Sequence, residues 1–84
     1  MTLKDLKVQS HNLEPTVMVG KAGITDQTIA EINAQLKKKR LIKVKLLKSA
    51  REEMKEQAQT LAQQTNSTLV RQVGGIIVLY RERL

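Results

Sequence analysis

Four consecutive residues, Ile76-Ile77-Val78-Leu79, are apolar without alternation. A strand that is apolar on both faces belongs in the middle of a sheet, with other parts of the chain packed above and below it. The run follows Gly74-Gly75, and Thr68-Leu69-Val70-Arg71-Gln72-Val73 precedes that pair. Two β-rich runs around two glycines predict an antiparallel hairpin over 68–73 and 76–81, with Gly74 and Gly75 as turn residues. Only 84 residues are available to build the rest of the sheet and its covers, and the core must be aliphatic, because Tyr80 is the one aromatic residue.

Period-two alternation marks a further strand over 41–48. Ile42, Val44 and Leu46 are buried in this reading, and Lys43 and Lys45 project together from the opposite face. Thr16 to Val19 is the first strand. Leu3, Leu6 and Leu13 trace a short helix that ends before Pro15, since the residue ahead of proline avoids helical geometry. A second helix carries Ile29, Ile32 and Leu36, interrupted by Asn33, with Thr25 as N-cap and Ile24 and Ile29 at staple spacing. Ser49 and Glu52 form a capping box for a third helix that buries Met54, Ala58, Leu61, Ala62 and Thr65, and Asn66 is its left-handed stop. The order is helix, strand, helix, strand, helix, strand, strand. It predicts one domain over 1–84, an α+β fold (an α/β two-layer arrangement) with a mixed four-stranded sheet. Right-handed crossovers place the second and third helices on one face and leave the first helix open.

Between the first strand and the second helix lies Gly20-Lys21-Ala22-Gly23. Gly20 and Gly23 permit positive φ and close approach of another backbone. A loop that opens directly into a helix aims free N–H groups and the positive dipole end at whatever lies in front, and phosphate suits that place. Lys21 adds a mobile cation at the tip. A lone GxxG is equally a tight strand-to-helix turn, and no GxGxxG or GxxxxGK[ST] signature accompanies it.

Charge separates these readings. Fifteen Lys and Arg against eight Asp and Glu give a net charge of +7. Lys37, Lys38, Lys39, Arg40, Lys43, Lys45, Lys48 and Arg51 stand together without an acid among them, and most acids sit near helix starts. Such a field attracts polyanions. One or two of Lys37–Arg40 serve the helix C-terminus, and the remainder, with Lys43 and Lys45, extend a binding surface from the loop. Arg81 and Arg83 continue the basic character to the terminus.

In four separated blocks the chain resembles the CRM (chloroplast RNA splicing and ribosome maturation) domain, most closely its stand-alone YhbY-like members. The blocks are His11-Asn12-Leu13-Glu14-Pro15 leading into Val17–Thr25, then Leu41–Lys45, Leu69–Gly74 and Val78–Arg81. The resemblance implies a fold similar to the C-terminal domain of translation initiation factor three. It also implies RNA binding, with Gly20, Lys21, Ala22 and Gly23 holding the sugar-phosphate backbone as in KH domains; on the charge argument, Lys38, Lys39, Arg40, Lys43 and Lys45 extend that footprint beyond the loop. The implied partner is ribosomal RNA in precursors of the large subunit. A role in intron splicing, which the family also contains, or as a generic RNA chaperone is the alternative.

Other classes fit less well. His11, the only histidine, reads as a helix-end or packing residue, and no base lies beside a nucleophile, so no enzyme and no cofactor are expected. Nothing resembles a recognition helix for base edges in duplex DNA. A protein-interaction module meeting an acidic partner is the third class. One aromatic residue cannot supply a stacking platform, so recognition should rest on phosphates and RNA shape. With no cysteine, no signal-peptide pattern and no apolar run long enough to span a membrane, a cytoplasmic monomer without membrane association is predicted.

Overall fold

The computed structural model describes residues 2–48 and 51–82, and of residues 51–57 the backbone alone. Within them the elements follow in the predicted order: α1 (Leu3–Ser10), β1 (Val17–Val19), α2 (Asp26–Lys39), β2 (Leu41–Leu46), α3 (Arg51–Gln64), β3 (Thr68–Val73) and β4 (Ile76–Tyr80). The strand order is β1-β2-β4-β3, with β1 parallel to β2 and β4 antiparallel to both its neighbours. The all-apolar strand is therefore central. Its Ile77 and Leu79 enter one core and Val78 enters the other.

The larger core lies under α2 and α3. Ile32 and Leu36 of α2, with Ala58, Leu61 and Ala62 of α3, pack on Val17, Val19, Ile42, Val44 and Leu46. The period-two reading of β2 is thus correct, and both crossover helices lie on one face. α1 occupies the other face, where Leu6 is buried against Leu41, Val70 and Val78. Leu3, expected on the same stripe, is 51% exposed, because this eight-residue helix makes its contact through Leu6 and Ser10 while its first turn overhangs the sheet.

Local chemistry sets the element ends. Thr25 Oγ1 accepts from the Thr28 N–H (3.2 Å), which makes Thr25 the N-cap of α2 as expected. Asn66, at φ 50°, stops α3: the Ser67 N–H reaches Ala62 O (2.8 Å) and the Asn66 N–H reaches Gln63 O (3.2 Å). Arg40 ends α2 at φ 64°, a conformation that costs a side-chain-bearing residue free energy. α1 opens on a capping box that the apolar spacing does not announce, with Thr2 Oγ1 accepting from the Asp5 N–H and the Asp5 carboxylate from the Thr2 N–H, both at 3.2 Å. The backbone hydrogen bond from Thr2, followed by the one from its side chain, holds the Asp5 carboxyl below its ordinary range. The capping box expected at Ser49–Glu52, the core placement of Met54 and the position of Arg83 lie outside what is described.

Two polar residues acquire roles that periodicity alone did not reveal. Arg81 donates from one Nη to Asn33 Oδ1 and to Thr65 O, tying β4 to both crossover helices. Asn33 interrupts the apolar stripe of α2 because it receives that guanidinium, and Arg81 is half-buried.

Candidate nucleic-acid interface

The loop is a closed turn. The Gly23 N–H donates to Gly20 O (2.9 Å), leaving Lys21 and Ala22 at the tip, with Lys21 fully on the surface. The two glycines serve different purposes. Gly23 has φ 71°, a conformation that favours glycine and turns the chain toward Thr25 and the start of α2. Gly20, expected to share this freedom, does not take positive φ; it is constrained by space, since a Cβ there would lie 3.3 Å from Leu47 Cδ1. The α2 N-cap follows two residues after Gly23, with Asp26 in the first turn. The positive dipole end of α2 and its first-turn N–H groups thus come immediately after the turn in the chain.

β2 organises what surrounds the loop. The Leu47 N–H donates to Val19 O (2.8 Å) and the Leu46 N–H to Gly75 O (2.6 Å). The glycine loop and the hairpin turn are thereby held at the same end of the sheet. On the face opposite α2 and α3, register aligns Met18, Lys45, Ile76 and Val73 in one row across all four strands. The next row inward contains Lys43, Val78 and Arg71; its Val78 is in the core formed with α1, as are Leu41 and Tyr80 of the row after it, and Ile76 packs against the edge of that core. α1 therefore leaves open only the end of this face nearer the glycine loop. Met18 is 64% and Val73 53% exposed, and Lys45 is fully on the surface.

Arg71 reaches this face through a bulge. Leu69 pairs with Leu79 in the larger core, so strict alternation would aim Arg71 inward too. The register shift between Leu69 and Arg71 pairs Arg71 with Val78 and turns it outward. There its Nη1 donates to His11 Nε2 (2.8 Å). Guanidinium has donors and no acceptor, so the ring nitrogen is the acceptor in this bond. His11, Lys43 and Arg71 rim a pocket of about 290 Å³ whose floor is Ile76, Val78 and the buried Ser10, with Val73 at its side. Arg71 was not among the binding residues expected from the sequence, because a bulge has no compositional mark here.

The expected basic surface is divided in space. Gly20–Gly23 lie at one end of α2, and Lys38, Lys39 and Arg40 at the other. The 14 residues of that helix put about 20 Å between them. Lys38 and Lys39 emerge beside Gln35, whose Nε2 donates to Thr16 O (3.3 Å) and holds that flank of α2 to the β1 edge. Arg40 lines a separate cleft of about 440 Å³ with Lys37, Asn66 and Tyr80, where the C-terminal ends of α2 and α3 approach each other. Lys43 and Lys45 share a face as expected, on the half of the sheet nearer the loop. Among the described residues no group of three His, Cys, Asp or Glu side chains could hold a metal ion, and no helix is long and apolar enough to cross a membrane.

Several known proteins share this sequence pattern and fold. The family model of the CRS1/YhbY (CRM) domain matches residues 1–81. The chain is 38% identical over 77 residues to "Probable RNA-binding protein YqeI" of Bacillus subtilis, covering 92% of this chain and 80% of that protein. It is 42% identical over 80 residues to "Probable RNA-binding protein MJ0652" of Methanocaldococcus jannaschii, covering 93% of this chain and 59% of that longer protein. The solution structure of the hypothetical protein SAV1595 from Staphylococcus aureus superposes with a TM-score of 0.82 at 38% identity, over 98% of this chain and 85% of that one.

Proposed function

The chain belongs to the CRS1/YhbY (CRM) domain family, and from that membership we propose that it binds RNA and acts in assembly of the large ribosomal subunit. The observation that carries the reading is the Gly20–Gly23 turn. It is closed by its own hydrogen bond, empty of side chains at both hinges, and set directly before a helix N-terminus. A phosphodiester lying across the turn would meet backbone N–H groups, the helix dipole and Lys21 together. Lys43 and Lys45 continue the grip along the open sheet face, and Lys38, Lys39 and Arg40 supply a second contact about 20 Å away. The names of the relatives agree with RNA as the partner. We read the protein as a cytoplasmic monomer that binds and does not catalyse; His11, its only histidine, has its Nε2 occupied by Arg71.

Affinity alone does not test this, because a charge of +7 attracts any nucleic acid at low salt. Attraction from about six to ten phosphate contacts falls roughly 10³–10⁵-fold between about 50 and 200 mM salt. A protein that also fits a folded RNA shape stays on its particle. In a sucrose gradient of lysate at near-physiological salt, co-migration with large-subunit precursors is expected, and deletion should let immature large subunits accumulate. Even spread over all RNA fractions would leave generic RNA binding, or splicing, in place of ribosome assembly.

A further inference from the structure

The end of the sheet that α1 leaves open is more than a continuation of the basic surface. Its outer row, Met18, Lys45, Ile76 and Val73, is mostly apolar, with Met18 and Val73 exposed and Ile76 half-buried at the edge of the α1 core, on a strongly cationic protein. The inner row places Lys43 and Arg71 on either side of Val78, and α1 ends beside them at His11. The pocket between these rows is thus mainly aliphatic at its floor and side and cationic at its rim, and among the described residues no acidic side chain lines it. A volume of about 290 Å³ is at the small end of ligand pockets.

That combination selects a ligand with a flat apolar part and an adjoining anion. A phosphate in a regular duplex would use the rim and leave the floor empty. An acidic peptide would supply carboxylates but nothing flat to cover Ile76 and Val73. An unpaired nucleotide supplies both parts. We propose that this pocket receives one extruded nucleotide of the bound RNA, its base over Ile76 and Val73 and its phosphate between Lys43 and Arg71. The inference rests on the RNA-binding reading above and adds to it a preference for RNA with an unpaired residue. His11 is a positioning residue here: by accepting from Nη1 it fixes the Arg71 fork and leaves the remaining guanidinium N–H groups for phosphate. The β3 bulge is what makes the site, since without it Arg71 would face the helices. The pocket shares its half of the sheet with the end of β2 that is tied to the glycine loop, so one RNA strand could engage both.

The test uses two RNA hairpins that differ only by a single-nucleotide bulge, titrated into methyl-labelled protein and followed by NMR. The bulged hairpin should shift the Met18, Val73 and Ile76 methyls, and both hairpins should shift the Gly20–Gly23 amides. Arg71→Ala should weaken the bulged hairpin by roughly tenfold, about one charge-assisted hydrogen bond, and weaken the paired hairpin, which meets Arg71 only as one cation among many, by far less. Loop shifts without methyl shifts overturn the pocket and leave the loop standing. Equal weakening of both hairpins also overturns it, by reducing Arg71 to a general phosphate contact. Methyl shifts given instead by an acidic peptide would make the face a protein-docking surface. No shift with either RNA would remove the RNA-binding reading together with this one.

Discussion

The two loop glycines are separated by a single turn but respond to mutation for different reasons. Gly20→Asp needs only that Leu47 Cδ1, the far end of a half-exposed side chain, give by a few tenths of an ångström. The variant should melt close to the parent and lose most RNA affinity, because its carboxylate meets phosphate. Equal affinity of the folded variant would remove the loop from the mechanism. Gly23→Asp must hold an L-residue at φ 71°, which costs about 1–2 kcal/mol, so its binding has to be read at a temperature where it is folded. Arg40 gives the converse case. At φ 64° it occupies a glycine-favouring position, held by its N–H on Leu36 O (3.0 Å) and its carbonyl on the Arg81 N–H (2.8 Å). Arg40→Gly should raise stability by about 1 kcal/mol in urea unfolding and lower RNA affinity. Unchanged affinity would make Arg40 a helix terminator without a role in binding.

α1 is an eight-residue helix anchored to the sheet mainly by Leu6. Its Thr2–Asp5 box adds a pH dependence whose sign follows from the lowered Asp5 carboxyl. Asp5 supports the folded state fully above the ordinary value of 3.8, and that support disappears as pH falls through the lower folded value. A carboxyl-carbon NMR titration should place the Asp5 midpoint below 3.8, and Thr2→Ala, which keeps the larger backbone hydrogen bond, should raise it part of the way; a parent midpoint at or above 3.8 would contradict the box. Most of the architecture was legible because it rests on periodicity: β2, β4, the hairpin, and the faces of α2 and α3 all follow from apolar spacing. The position of α1 was not, because three leucines define a stripe without saying which surface receives it. The direction of Arg71 was not, because a bulge reverses alternation without changing composition. Asn33 and Arg81 looked like an interruption and a loose charge until the fold brought them together.

On the scale of the molecule, the basic residues form two poles, the glycine loop with Lys43 and Lys45, and the far end of α2 with Lys38, Lys39 and Arg40. Groups about 20 Å apart with no shared partner act independently. Neutralising Lys38, Lys39 and Arg40 together should lower the salt slope of binding by roughly one unit for each phosphate they neutralise, to the same extent in the parent and in Gly20→Asp. A slope that changes in only one background would mean that a single stretch of RNA joins the poles. The strand order also bears on synthesis. Among the described elements β4 comes last in the chain, yet it lies between β2 and β3, which cannot join one sheet without it. In a nascent chain that has emerged only as far as Val73, Ile42, Val44 and Leu69 lack the strand with which they pair. Closure must therefore wait until residues 76–80 have left the ribosome and can insert as a unit. Until then translation, and not the chain's own folding rate, sets when this protein exists in a form able to bind.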